Sequence, residues 1–226
     1  MSAKRINALK KKIQSEHLDA MLITSMPQIR YLTGFSGDTA LLVLTRTAAE
    51  MLTDFRFIDQ AKQQVKGAKV TIIKGSAFAG LKDVSALKPR NIRLGFTGEH
   101  LTVSVKDVIS KALPDALLVN ADAALAELAW IKDAEEQANI RKAVAIGDLA
   151  FERILNLVKP GVRERELAAE LEYQMMMLGS EKPAFDTIVC SGYRSAMPHG
   201  VASDKKLEKG DFVTFDFGAT VNGFVS

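Results

Sequence analysis

Long apolar runs are missing from this sequence. No stretch approaches the roughly 20 apolar residues that a membrane-crossing helix requires. Charge recurs through the first 19 residues, where a secretory leader would carry an apolar core. Cysteine is almost absent, and Cys190 alone excludes an internal disulfide and a cysteine-based zinc knuckle. Charge of one sign is scarce too: 30 Lys and Arg against 27 Asp and Glu leave +3. That is too little to make nucleic acid or an anionic membrane the main partner. With only 15 Gly and 6 Pro the chain is not collagen-like, and 47% apolar residues are too many for a disordered one. What remains is an ordinary globular chain of 226 residues, long enough for two modest domains. Its expected location is the cytoplasm, with no nucleic-acid and no membrane partner.

One local charge excess exists. Lys4, Arg5, Lys10, Lys11 and Lys12 face no acid among the first twelve residues. Ile6, Leu9 and Ile13, with Ala8 nearby, recur at helical spacing in the same segment, so the basic residues read as the solvated side of a helix over residues 3–16. Short apolar runs follow at 20–24, 40–45, 70–74, 92–96 and 117–119, with helical patterns near 59–65, 77–87 and 103–113. That alternation predicts an α/β layer domain with a mixed sheet covered by helices.

The pattern changes after Trp130. Ile140, Val144, Gly147, Phe151, Ile154 and Val158 mark one stripe of a long helix, which Pro160-Gly161 ends. Leu167, Leu171, Met175 and Leu178 mark a second helix, with Gly179 as its C-terminal cap. Of Met175, Met176 and Met177, the last two cannot share a face with the first, so packing and partial exposure account for the run better than a metal site. Residues 185–190, 211–217 and 220–225 then read as strands, an α+β pattern, with a domain boundary expected near 122–133. The expected domains are 1–130 and 131–226.

Chemistry concentrates in residues 191–226. His199 lies in Met197-Pro198-His199-Gly200, where Pro and Gly hold an imidazole on a turn. On pattern alone, an idle exposed histidine explains it better than a catalytic one. Along the strand from Asp211, Val213, Phe215 and Phe217 face one way, and Phe212, Thr214 and Asp216 the other. A carboxylate between two phenylalanines is costly unless a cation or several donors compensate it. A metal ligand and a carboxylate bonded to the following Gly218-Ala219 turn fit equally well.

Three ordered strings carry a further signal. Ala184-Phe185-Asp186-Thr187-Ile188-Val189-Cys190-Ser191-Gly192 is followed by Met197-Pro198-His199-Gly200, then by Gly210-Asp211-Phe212-Val213-Thr214-Phe215-Asp216-Phe217-Gly218-Ala219 with Gly223-Phe224 behind it. Together they resemble the Xaa-Pro peptidase branch of the pita-bread metallopeptidases, which includes aminopeptidase P, prolidase and creatinase. Ile131-Lys132, Arg141 with Ala143, and Lys159-Pro160-Gly161 followed by Glu164 agree with it. Upstream, Ile29-Arg30-Tyr31-Leu32-Thr33-Gly34-Phe35 and Thr53-Asp54-Phe55-Arg56-Phe57 resemble the creatinase-type N-terminal domain.

The resemblance implies an α/β N-terminal domain followed by the first part of an α+β pita-bread catalytic domain. It implies a metal-dependent Xaa-Pro aminopeptidase or dipeptidase that uses two divalent ions, Mn²⁺ foremost and Zn²⁺ or Co²⁺ otherwise. Asp216 matches the first metal aspartate, and His199 the histidine that bonds the scissile peptide. Phe185 matches an apolar wall beside the substrate. Peptides containing proline and a second copy of the chain are the implied partners. The sequence then departs from the family pattern. The second aspartate, the ligand histidine and two glutamates would follow Gly223-Phe224-Val225-Ser226, and Ser226 is the last residue. The expectation is therefore a chain truncated within the catalytic domain and inactive by itself. Two other readings stay open: an inert binding or oligomerisation module, and a metal-free amidinohydrolase of the creatinase kind.

Overall fold

Four consecutive buried residues, Ala20–Ile23, form a strand with no polar face, and such a strand has to lie inside a sheet covered on both sides. In the computed structural model, which describes Ser2–Ser226, the chain divides into two compact units, Met1–Ile131 and Lys132–Ser226.

The first unit runs α1 (Ser2–Ser15), β1 (Ala20–Ile23), α2 (Met26–Thr33), β2 (Leu41–Thr45), β3 (Ala49–Asp54), α3 (Ile58–Gln64), β4 (Lys69–Ile73), β5 (Arg93–Phe96), α4 (Val103–Ala112), β6 (Leu117–Asn120) and α5 (Asp122–Trp130). Its six strands lie in the order β4-β3-β2-β1-β5-β6. The hairpin strands β1, β2 and β3 pair antiparallel, and β4, β5 and β6 join in parallel. One face of the sheet packs Met21, Ile23, Leu42 and Leu44 against Ile6, Leu9 and Ile13 of α1, with α2 and α5 beside it. The other face packs Leu22, Leu41, Val43 and Leu94 against Leu81, Val84 and Leu87 and against Ile109 of α4. Two apolar layers on one sheet make this unit α/β. The basic residues of α1 are engaged locally: Lys10 donates to Thr47 O at 2.9 Å, Lys12 pairs with Glu127, and Arg5 lies over the Tyr31 ring. The solvated-helix reading of that segment is the right one.

Four elements differ from the sequence expectation. Residues 77–87 form two 3₁₀ turns, Ala79–Asp83 and Ser85–Leu87, in place of one helix. A Cβ at Gly80 would stand 3.0 Å from Ile73 Cγ2, so the segment sits close on β4. Strand β3 and helices α2 and α5 went unforeseen. Helix α2 ends at Gly34, whose φ of +85° suits glycine and whose N–H bonds Arg30 O.

The second unit runs α6 (Ala134–Ile154), α7 (Glu164–Met177), β7 (Ile188–Ser191), β8 (Val213–Asp216), β9 (Thr220–Val221) and β10 (Phe224–Val225). Asp133 starts α6 with a capping box: its carboxylate accepts from the N–H groups of Glu135 and Glu136, and Glu136 bonds back to Asp133 N. Helix α7 ends in a Schellman turn, with Gly179 at φ +102°, its N–H on Met176 O and Ser180 N–H on Met175 O. Met175 is fully buried, whereas Met176 and Met177 are exposed. The buried stripe of α6 is rotated from the expected one: Ala143, Ile146, Gly147, Ala150 and Ile154 are inside and Val144 is outside. The Phe217 ring packs on this stripe, where a Cβ on Gly147 would be in ordinary contact with it at 3.5 Å. The strands are shorter than expected and pair as two hairpins, β7-β8 and β9-β10. No described helix is long and apolar enough to cross a membrane.

Candidate active site

The pairing of β7 with β8 sets Ile188 opposite Asp216, Val189 opposite Phe215, Cys190 opposite Thr214 and Ser191 opposite Val213. Strand periodicity then sorts the side chains of β8. Phe215 and the following Phe217 turn inward and meet Phe151 of α6 at ring distances of 5.2 and 5.7 Å. Phe212, Thr214 and Asp216 are exposed on the other side. The Asp216 carboxylate accepts no hydrogen bond among the described residues, and Ser226 Oγ takes the Ala219 N–H at 2.9 Å. The turn-capping alternative for Asp216 therefore does not hold.

His199 sits on an exposed turn of the loop that leaves β7. This loop is pinned to the strand. Cys190 donates through Sγ to Gly200 O at 3.2 Å, Thr214 donates to Ser195 O at 3.2 Å, and Gly192 N bonds Phe212 O at 2.9 Å. Packing requires glycine at position 200, since a Cβ there would collide with Cys190 Sγ. Gly200→Ala is expected to destabilise the second unit by about 1–3 kcal/mol, the usual cost of overpacking, as a lowered urea midpoint would show.

Beneath the loop lies a carboxylate that pattern reading treats only as part of a motif. Glu164, the first residue of α7, is completely buried. Its Oε1 accepts from Ser191 N (2.7 Å) and Ser191 Oγ (2.9 Å). Its Oε2 accepts from Ser203 N (3.1 Å), Ser203 Oγ (2.6 Å) and Arg194 Nε (3.0 Å). Burial pushes this carboxyl up, but the bonds from Ser203 and Ser191 outweigh it, and the group lies below its usual value. Arg194 also donates to Val201 O at 2.7 Å, bridging the base of the His199 turn. Beside it, Lys205 Nζ bonds Asp211 Oδ2 at 2.7 Å and Ser191 Oγ at 3.1 Å. The bond holds Asp211 below and Lys205 above the ordinary values. Serines and an arginine inside a loop give no periodic signal, so sequence reading missed Ser191, Arg194 and Ser203.

Phe185 is 44% exposed. It follows Ala184, whose N–H bonds Gly218 O at 2.8 Å, so it is tied to the Asp216 end of the same hairpin. All three expected site residues hang from the β7-β8 ladder, His199 through Gly200 and Cys190. None bonds another among the described residues. No cluster of three His, Cys, Asp or Glu side chains exists among the described residues. A divalent ion needs several protein ligands to displace its water, and Asp216 alone does not meet that need.

Known proteins match both units. Residues 5–128 match the creatinase/prolidase N-terminal domain, and residues 138–226 match metallopeptidase family M24. The chain belongs to the creatinase/prolidase family. An uncharacterized peptidase of Bacillus subtilis is 42% identical over 210 residues, covering 92% of this chain and 59% of the relative. A Xaa-Pro dipeptidase of Pyrococcus furiosus is 34% identical over 232 residues, covering 98% and 62%. The solved structure of a Xaa-Pro dipeptidase from Bacillus anthracis superposes with a TM-score of 0.92 at 36% identity, covering all of this chain and 63% of the other. The chain spans about three-fifths of the length of the relatives it matches. Their architecture agrees with the fold here, an α/β creatinase-type domain and part of an M24 catalytic domain.

Proposed function

We propose that this chain supplies the N-terminal domain and the opening half of the catalytic domain of a metal-dependent Xaa-Pro dipeptidase or aminopeptidase. The observation that carries this reading is the M24 match over 138–226, which includes the β7-β8 hairpin, together with similarity to Xaa-Pro dipeptidases across both units. Asp216 is the first carboxylate of a divalent metal pair, Mn²⁺ foremost, that further residues complete. Bound metal supplies Lewis acidity and an activated water in this class of chemistry. His199, exposed and uncommitted on its pinned turn, bonds the carbonyl of the peptide bond before proline or the tetrahedral species formed from it. Phe185 offers an apolar surface for the substrate at the Asp216 end of the hairpin. The protein works as a cytoplasmic homodimer on proline-containing peptides.

The test is turnover by the full gene product, with Mn²⁺, on a Xaa-Pro dipeptide and on a longer Xaa-Pro-Yaa peptide. Cleavage of the first alone marks a dipeptidase, and cleavage of the second an aminopeptidase. Hydrolysis of neither removes the proposal. The 226-residue polypeptide by itself is expected to show no such turnover and, by calorimetry, only weak Mn²⁺ binding, because one carboxylate is a poor competitor with water. Stoichiometric sub-micromolar binding would contradict that expectation.

A further inference from the structure

The proposed chemistry leaves the most heavily bonded carboxylate of the second unit without a role. Glu164 receives five hydrogen bonds, and they come from both ends of one loop: Ser191 where the loop leaves β7, and Ser203 where it returns. The fifth donor, Arg194, reaches across the loop to Val201 O. Between these anchors stands the turn with His199, tied to β7 and β8 besides by Cys190 on Gly200 O, Thr214 on Ser195 O and Gly192 N–H on Phe212 O. A buried carboxylate accepting only charged or backbone and hydroxyl donors from two chain segments is a clasp: it needs both segments to be satisfied, and each segment loses donors' partners without it.

We propose that Glu164 is a positioning residue whose carboxylate fixes the loop 191–203, and with it the place of His199. The functional weight of this clasp rests on the Xaa-Pro peptidase reading of His199, while its mechanical part stands apart from it. Helix α7 forms one side of the second unit's core through Leu167, Leu171 and Met175. Glu164 at its first turn thus ties an exposed loop to a rigid element, which is what a residue presented to substrate requires. Core packing of α7 does not depend on the carboxylate, so the clasp and the core can be perturbed separately.

The experiment compares the 226-residue chain with its Glu164→Gln variant, which keeps the shape but replaces one acceptor oxygen by a donor. Two signals are read: the imidazole C–H resonances of the three histidines, and amide exchange along the chain. With the clasp weakened, the His199 line shifts and broadens while those of His17 and His100 stay in place. Amides of 192–203 then exchange at least about tenfold faster, the scale of losing a hydrogen bond to a charged group, while those near Leu171 are unchanged. Ser203→Ala, which removes the hydroxyl donor at one end and keeps the residue 203 N–H, is expected to loosen 199–203 in the same direction and serves if the first variant does not fold. An unmoved His199 line with unchanged loop exchange in Ser203→Ala or in folded Glu164→Gln overturns the proposal. So does a uniform loss of protection over the whole unit, which is what a purely structural residue would give. In the full gene product the clasp also predicts a fall in kcat for Glu164→Gln with KM nearly constant. The resonance and exchange results stand whether or not any peptide is cleaved, so failure of the peptidase reading registers separately.

Discussion

Replacing His199 with alanine is expected to lower kcat of the full gene product on a Xaa-Pro dipeptide by roughly 10²-fold, the scale of losing one positioned donor or proton-transfer group. Its melting temperature should hardly move. The imidazole is exposed on its turn and makes no hydrogen bond among the described residues, so its removal leaves no cavity and no orphaned partner. Metal content should also stay the same. The measurement is a pair of steady-state and thermal-melting curves on wild type and variant. Full activity in the variant would remove His199 from the mechanism, and a large drop in melting temperature would make the residue structural.

Truncating Glu164 to alanine should act in the opposite manner, on stability. The substitution leaves Ser191, Ser203 and the half-buried Arg194 without their acceptor, and breaking a buried ion pair from one side costs about 3–5 kcal/mol. The loss falls on the clasped segments, so amide protection over 188–203 is the measurement of choice, with the amides near Leu171 as the reference. The same carboxylate gives a pH dependence. Its folded value is depressed, so its contribution is fully present above the unfolded carboxylate range near about 4.3 and is lost as pH falls through the lower folded value. Asp211, depressed by Lys205, and Glu166, depressed by the Arg163 N–H, add to the same acid limb. Protection of the second unit should therefore fall below about pH 4 in wild type. The Glu164→Ala variant should show a shallower fall, because one of the three groups is gone. Equal acid slopes in both proteins would show that Glu164 does not carry the charge assigned to it.

Much of the fold is legible in the sequence where burial follows simple periodicity. The stripe Ile6, Leu9, Ile13 of α1 and the alternation of Phe215 and Phe217 with Thr214 and Asp216 lead directly to the observed faces. Reading fails where small residues do the packing. Counting large apolar residues sets Val144 inside α6, yet Ala143, Gly147 and Ala150 are inside, on the stripe that meets Phe151, Phe215 and Phe217. Strand β3 escapes notice because Glu50, Thr53 and Asp54 interrupt its apolar pattern, although pairing on both sides buries Met51 and Leu52. At the candidate site, turn residues and strand parity suffice to place His199 and Asp216 on exposed surface. The clasp is not legible, because Ser191, Arg194 and Ser203 converge on Glu164 only after the loop has closed.

The central proposal is that the chain is part of an enzyme that hydrolyses the peptide bond before proline with a divalent metal. Initial rates of the full gene product on a Xaa-Pro dipeptide and on its Xaa-Ala counterpart, before and after chelation and again after Mn²⁺ is restored, test it most directly. The account predicts cleavage of the proline peptide alone, lost on chelation and recovered with metal. Hydrolysis of a guanidino compound such as creatine without metal, or no hydrolysis of the proline peptide at any metal concentration, would contradict it.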